Sequence, residues 1–193
     1  MEIDRAARVI REGDIVVYPT ETVYGLGADA LDSSAVERVF AAKARSRTKP
    51  LSMAVPAIES AATHTTLTAR ERRFIETFLP GPVTVIVGAG PEIPDALTAG
   101  GDRVGIRIPD HELARSLLRE VGPITATSAN RSGDPSVRRV EDLDPELREA
   151  VGCILDGGDL SGTESTVVDV EHEEIHRRGA LTEEIEAWLK GVS

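Results

Sequence analysis

Apolar residues recur along this chain with two periods, and the switches between them outline its elements. From Asp4 to Arg11, the apolar positions Ala6, Ala7, Val9 and Ile10 keep the spacing of one helix face, and Gly13-Asp14 closes the segment. Ile15-Val16-Val17-Tyr18 is a compact β-branched run and predicts a buried strand; a polar, glycine-bearing loop follows from Pro19 to Asp32. Ser33 or Ser34 can cap a helix whose apolar face is Val36, Val39, Phe40 and Ala44. Leu51 to Val55 reads as the next strand, stopped by Pro56. Two helices are expected at Ile58 to His64 and Thr68 to Leu79; the second opens with a capping box, Thr68 and Glu71, and breaks at Pro80-Gly81-Pro82. Val83 to Val87 and Val104 to Ile108 are predicted strands, separated by a Gly- and Pro-rich loop from Gly88 to Asp102. His111 to Val121 is an amphipathic helix ending at Gly122-Pro123, and Ile124 to Thr127 is a strand running into the polar loop Ser128 to Pro135. A helix over Pro145 to Val151, strands at Cys153 to Leu155, Thr166 to Val170 and Glu174 to Arg177, and a helix from Leu181 to Lys190 complete the pattern.

Strands and helices are mixed along this order instead of strictly alternating, and the last strands lie close together. No repeat, low-complexity tract or linker divides the chain. The pattern predicts an α/β fold as a single domain over residues 1–193, with a twisted, mixed open sheet and helices on its faces, not a purely doubly wound one.

The 193 residues are 40% hydrophobic, enough to bury a substantial core. No apolar run approaches the roughly 18 to 20 residues that span a bilayer, and the start, Met1-Glu2-Ile3-Asp4, does not read as a signal peptide. The one cysteine, Cys153, sits in an apolar stretch and reads as a buried core thiol. These features point to a cytoplasmic protein with no membrane partner. The formal net charge of -11 disfavours broad binding of phosphate backbones. Aromatic residues, at 3%, are too few for a base-stacking platform. Lysine occurs only at positions 43, 49 and 190, a balance that suits either a saline habitat or an ordinary acidic protein.

Four polar clusters fall at strand ends or in adjoining loops, where α/β proteins build their sites. The first, Pro19-Thr20-Glu21-Thr22-Val23-Tyr24-Gly25-Leu26-Gly27, carries two glycines that let the backbone approach a ligand. With Ala30 it satisfies G-x-G-x-x-A, yet no helix is expected at the glycines and no acidic residue ends the next strand, which excludes a dinucleotide fingerprint. The second, Lys43-Ala44-Arg45-Ser46-Arg47-Thr48-Lys49-Pro50-Leu51, is a local basic run in an acidic chain. It could simply favour a helix C-terminus, but Arg45 with Lys43 or Lys49 suits a grip on a triphosphate. The third, Ser128-Ala129-Asn130 with Ser132, Gly133 and Ser136, could bind phosphate or ribose or equally form Asx and Ser turns. The fourth, Gly162-Thr163-Glu164-Ser165-Thr166, enters a strand, and Arg178 lies beyond the last one. The four histidines, 64, 111, 172 and 176, form no metal-ligand pattern, and no covalent nucleophile stands beside a base.

Together and in order, these clusters resemble the threonylcarbamoyl-AMP synthase (YrdC-like) family. Pro19 to Gly27 match its signature loop in full. Lys43, Arg45, Pro50 and Leu51 match its Lys-x-Arg and Pro-Leu; Ser128, Asn130, Ser132 and Gly133 match its Ser-x-Asn and Ser-Gly; Glu164 to Asp169 match Glu-Ser-Thr-Val-Val-Asp; and Val104, Arg107 and Pro109 match Val-x-x-Arg-x-Pro. The resemblance runs from about Ile15 to Ala180. It implies a YrdC/RibB-like sheet with a deep, positively lined concave pocket, in the short, single-domain form of the family. It implies a nucleotidyltransferase that makes threonylcarbamoyl-AMP and pyrophosphate from L-threonine, bicarbonate and ATP with Mg²⁺. The product would serve the t6A modification of tRNA through a downstream threonylcarbamoyl transferase complex. The implied catalytic residues are Lys43 and Arg45. Arg45, Lys49, Arg107, Ser128, Asn130, Ser136 and Arg178 are implied at ATP, and Thr22, His111, Ala126 and Ser165 at threonine, with no protein-held metal. Some members carry a histidine just after the Pro-Leu strand. The matching stretch here is Ser52-Met53-Ala54-Val55, so that contact is absent or supplied from elsewhere. Rival readings are a double-stranded RNA-binding module, a non-catalytic nucleotide or threonine sensor, and a carbamoyl-transfer domain of the hydrogenase-maturation type. A single cysteine opposes the last of these.

Overall fold

The computed structural model describes residues 2–191. Its elements are α1 (Glu2–Arg11), β1 (Val16–Tyr18), β2 (Gly25–Gly27), α2 (Ser33–Lys43), β3 (Ser52–Ala54), α3 (Ile58–His64), β4 (Thr65–Thr66), α4 (Ala69–Phe78), β5 (Val83–Ala89) and α5 (Asp95–Thr98). They continue with β6 (Arg103–Arg107), α6 (Glu112–Val121), β7 (Ile124–Ser128), a 3-10 turn at Val140–Asp142, α7 (Pro145–Ala150), β8 (Cys153–Ile154), β9 (Thr166–Asp169), β10 (Glu174–Arg177) and α8 (Thr182–Gly191). The strands form one ten-stranded sheet in the order β10-β9-β5-β6-β3-β7-β2-β1-β8, with β4 paired to the far end of β5. Pairs β1·β8, β3·β6 and β5·β9 are parallel and the others antiparallel, so the sheet is mixed, as the pattern predicts.

Side chains alternate across the sheet, and the alternation sorts the core into two layers. Val16, Tyr18, Ala54 and Ile124 point to the face covered by α1 and α6, through Ala6, Ala7, Ile10, Ala114, Leu117 and Leu118. Val17, Met53, Val83, Val85, Val104, Ile106 and Val168 point to the other face, against Val36, Val39 and Phe40 of α2, Phe74 and Ile75 of α4, and Ile185 and Leu189 of α8. Cys153 is buried, as its sequence context suggests. Helix α4 starts on the predicted capping box: Glu71 N donates to Thr68 Oγ1 at 3.2 Å and Thr68 N to Glu71 Oε2 at 2.7 Å. Among the described residues, no helix is long and apolar enough to cross a membrane.

Four elements depart from the sequence expectation. β2 lies inside the expected loop Pro19 to Asp32, because its glycines carry no β preference of their own. Its state is set by partners on both sides, Val17 opposite Leu26 and Leu26 opposite Thr127. A short helix, α5, interrupts the expected loop from 88 to 102, and β4 adds two residues after α3. Helix α2 also ends one residue early. Ala44, expected on its apolar face, is left-handed at φ 49° and turns the chain out into the basic segment.

Candidate active site

α1 and α6 cover only part of their face of the sheet. Over the remainder opens a cavity of about 700 Å³. Its floor follows the period of two: Tyr18, Gly25, Ser52, Thr84 and Ile86, Arg103, Gly105 and Arg107, Ala126 and Ser128, and Val167 all lie on it. The intervening Val85, Val104, Ile106 and Val168 belong to the opposite core. Gly105 keeps the floor low, since a Cβ there would meet Thr84 Cγ2 at 2.9 Å. Gly25 has a similar reason: its Cβ would come 2.7 Å from Tyr18 Cζ, so the ring can lie flat on the strand only over glycine.

Five cations stand on the wall, Arg45, Lys49, Arg103, Arg107 and Arg177, with His176 beside them and a single carboxylate, Glu164. In a chain of net charge -11, such a concentration of positive charge in one hollow makes a focused anion site. Arg45 is held by its own loop, Nε donating to Lys49 O at 3.2 Å and Nη2 to Pro50 O at 3.0 Å. Arg107 Nη2 reaches Thr22 Oγ1 at 2.6 Å and Glu21 Oε1 at 2.9 Å. Glu21 Oε2 in turn accepts from Asp110 N at 3.1 Å. Thr20 Oγ1 lies 2.8 Å from Thr22 Oγ1, so the signature loop is knitted together behind the arginine.

Lys43 is 2% exposed and is not on the wall. Its Nζ donates to Ser128 O, to Asn130 O at 2.5 Å and to Asn130 Oδ1 at 3.4 Å. Three ammonium hydrogens thus serve three oxygens of the β7 exit loop. Burial, reinforced by the charge of Arg45 and opposed by Glu164, brings the Lys43 pKa down to about 8. Tyr24, in the same signature loop, accepts from Gly157 N at 2.9 Å and lies 3.0 Å from Asp156 Oδ1, which ties the segment after β8 to the cavity mouth.

The sequence and the fold both have counterparts among known proteins. Residues 8–179 match the model of the Sua5, YciO and YrdC proteins, a family described as telomere recombination. The chain belongs to this family. It is 40% identical over 168 residues to threonylcarbamoyl-AMP synthase of Pyrococcus abyssi, covering 86% of this chain and 49% of that protein. It is 39% identical over 195 residues to the enzyme of the same name from Bacillus subtilis, covering 97% and 56%. The crystal structure of P. abyssi Sua5 complexed with L-threonine superposes with a TM-score of 0.88 at 39% identity, over 96% of this chain and 56% of that one. The chain therefore spans about half the length of these relatives.

Of the residues that the Sua5/YciO/YrdC resemblance singles out, the fold brings Arg45, Lys49, Arg107, Ala126, Ser128 and Ser165 together on the cavity wall. Thr22 is buried one step behind, against Arg107, and Lys43 sits behind Ser128. Asn130 does not face the cavity: its Nδ2 donates to Arg131 O at 3.0 Å and Asp134 O at 2.6 Å, the turn-forming use open to it from sequence. Ser136 lines a separate hollow of about 440 Å³ and reaches the main cavity only by donating to Glu164. His111 is the N-cap residue of α6 and is not on the wall; burial lowers its pKa, against the pull of Glu21, Glu112 and Asp110. Arg178 points away, its Nη2 2.7 Å from Glu186 Oε1 on α8. Arg177 takes the wall position instead, with Nε donating to Ser165 O at 3.0 Å and Nη2 to Ser165 Oγ at 2.8 Å. The cause is a register shift in β10: Ile175 faces Val168, but Arg177, not His176, faces Val167. The extra residue turns Arg177 to the side of Val167, which lines the cavity. Arg103, Thr84, Ser52 and Glu164 were not singled out as site residues by sequence. For Thr84 and Arg103, the alternation within β5 and β6 carried the signal.

Proposed function

We propose that this chain is an L-threonylcarbamoyladenylate synthase, joining L-threonine, bicarbonate and ATP into threonylcarbamoyl-AMP and pyrophosphate. The observation that carries this reading is the cavity itself: five cations converge on a hollow of about 700 Å³, floored by small and hydroxyl side chains. Three anions must meet in this reaction, the threonine carboxylate, the carbamate and the triphosphate, and in an uncharged site their repulsion would keep them apart. The threonine amine nitrogen forms a bond to the bicarbonate carbon with loss of water. A carbamate oxygen then attacks the α-phosphorus, and the bond to pyrophosphate breaks. Catalysis of this kind needs positioning and charge neutralisation, not a covalent nucleophile.

In this reading Arg45 and Lys49 hold the phosphates and Arg107 and Arg177 hold oxyanions nearer the floor. Ser165, Thr84 and Ala126 bound the space for the amino acid. Lys43 acts indirectly, fixing the loop that presents Ser128. Mg²⁺ would be brought by the triphosphate. Glu164 on the cavity wall, and Ser136 hydrogen-bonded to it from the adjoining hollow, are hard oxygen donors that would suit such an ion; among the described residues no group of three or more His, Cys, Asp or Glu could cage one. When bound, the ion neutralises charge on the leaving pyrophosphate. The product would pass to a downstream transferase acting on tRNA in t6A formation. The cations converge inward on one hollow, a geometry suited to small anions and not to the backbone of an RNA duplex.

The test is incubation of the chain with ATP, Mg²⁺, L-threonine and bicarbonate, with mass spectrometry for the adenylate. Pyrophosphate and threonylcarbamoyl-AMP should appear in equal amounts. A folded protein that binds ATP and threonine yet releases neither product refutes the synthase reading.

A further inference from the structure

An acidic side chain in the signature loop of a cationic site calls for a reason. Glu21 is only 18% exposed and Arg107 only 11%. Among the described residues, every hydrogen bond of the Arg107 guanidinium is through Nη2, to Glu21 Oε1, Thr22 Oγ1 and, at 3.4 Å, Thr20 Oγ1. Arg107 Nε is buried without a partner, and Nη1 makes no hydrogen bond among the described residues. A guanidinium held at one nitrogen keeps its remaining donors for something else, and a buried N–H left unmet is costly enough to need an acceptor.

Glu21 does not hold Arg107 alone. Its second oxygen accepts from Asp110 N, three residues beyond Arg107 and just before α6. Its own backbone carbonyl accepts from Ser161 Oγ at 2.8 Å. One carboxylate thus joins the signature loop, the end of β6 and the start of α6, and its anchor is tied in turn to the segment leading into β9. The arrangement fixes where Arg107 stands before any ligand arrives.

We propose that Glu21 is a positioning residue. It fixes Arg107 by one terminal nitrogen so that the remaining donors of the guanidinium meet an oxyanion in the cavity. The oxyanion is a carboxylate or a phosphate, and the proposal rests on the synthase reading only for which substrate brings it. Glu21→Gln keeps the volume but removes the charge, and its amide cannot accept from Arg107 and from Asp110 N at the same time.

The experiment uses the full chain, selectively ¹⁵N-labelled at arginine, with the Arg107 Nε–H signal assigned by its disappearance in Arg107→Lys. Glu21→Gln should speed solvent exchange of that hydrogen at least tenfold. It should also weaken, at least tenfold, binding of either L-threonine or a non-hydrolysable ATP analogue, titrated separately. Loss on the threonine arm identifies the carboxylate and loss on the nucleotide arm the phosphate; either supports the proposal. In an Arg107→Met background, Glu21→Gln should change the same affinity by less than twofold, because the positioning has no object. Unchanged exchange and unchanged binding in Glu21→Gln overturns the proposal, as does a full tenfold loss in the Arg107→Met background. Should Glu21→Gln fail to fold, Glu21→Asp, which keeps the charge but cannot span both partners, carries the same expectations. If the wild type makes no adenylate while Arg107 still loosens in Glu21→Gln, the synthase reading falls and the positioning role stands.

Discussion

Arg177 and Arg178 are neighbours in sequence, and the structure gives them opposite fates, so replacing each by methionine is a direct test of the site. Arg177 donates two hydrogen bonds to Ser165, at 2.8 and 3.0 Å, and stands on the cavity wall. Arg178 is 64% exposed and pairs with Glu186. Methionine preserves most of the apolar stem in both cases, so the change is chiefly the loss of the guanidinium. A hydrogen bond to a charged group contributes about 1.5 to 3 kcal/mol. If Arg177 gives one such bond to a substrate oxyanion, the middle of that range is about 45-fold in kcat/KM. Arg177→Met should therefore lower kcat/KM for adenylate formation by about 45-fold, with a smaller loss of thermal stability from the freed Ser165. Arg178→Met removes an exposed ion pair contributing about 0.2 to 1 kcal/mol to stability, and its kcat/KM should stay within twofold of wild type. The assay is initial-rate adenylate formation by mass spectrometry, with calorimetric melts on both variants. If Arg178→Met costs as much as Arg177→Met, or Arg177→Met is silent, the bulge does not set the register and the wall is assigned wrongly.

Three further outcomes are expected. Burial brings the Lys43 pKa down to about 8 in the fold, from 10.5 for an ordinary lysine. Between those values the unfolded chain binds more protons, so the wild type should gain stability over Lys43→Met as pH rises from 8 to 10, by roughly 1.4 kcal/mol per unit at most; urea midpoints at pH 7, 8, 9 and 9.5 measure this, and a flat difference contradicts a lysine pKa lowered by burial. Gly25→Ala places a methyl group 2.7 Å from Tyr18 Cζ and should destabilise by about 1 to 3 kcal/mol; adding Tyr18→Leu should recover much of the loss in a thermal melt. Arg45→Ala should lower adenylate formation at least about tenfold, about 1.4 kcal/mol of transition-state stabilisation, without shifting the melt by more than a few degrees, and normal turnover would remove Arg45 from the phosphate grip.

What could be read from the sequence was what depends on neighbours along the chain. The capping box of α4 needs only Thr68 and Glu71, and both of its hydrogen bonds are present. The alternation Arg103-Val104-Gly105-Ile106-Arg107 already separates a core face from a polar one, and the structure uses both faces as that pattern implies. What stayed hidden depends on partners far away in the chain. Gly25-Leu26-Gly27 is a strand only because β1 and β7 flank it and the Tyr18 ring needs the space above it. The sequence shows Lys43 as a cation at a helix end, but not that it is buried under Ser128 and Asn130, 85 and 87 residues on, with its ammonium spent on their oxygens. Glu21 meets Arg107 across 86 residues, and no local pattern announces that an acid should stand in an anion site. The β10 bulge is the sharpest case. Plain alternation puts His176 and Arg178 on one face; a single extra residue brings Arg177 onto the cavity wall beside His176, while Arg178 points to Glu186. One register decides which of two adjacent arginines faces the cavity, so the motif alone locates the cation to within one residue, and the pairing of β10 with β9 makes the choice.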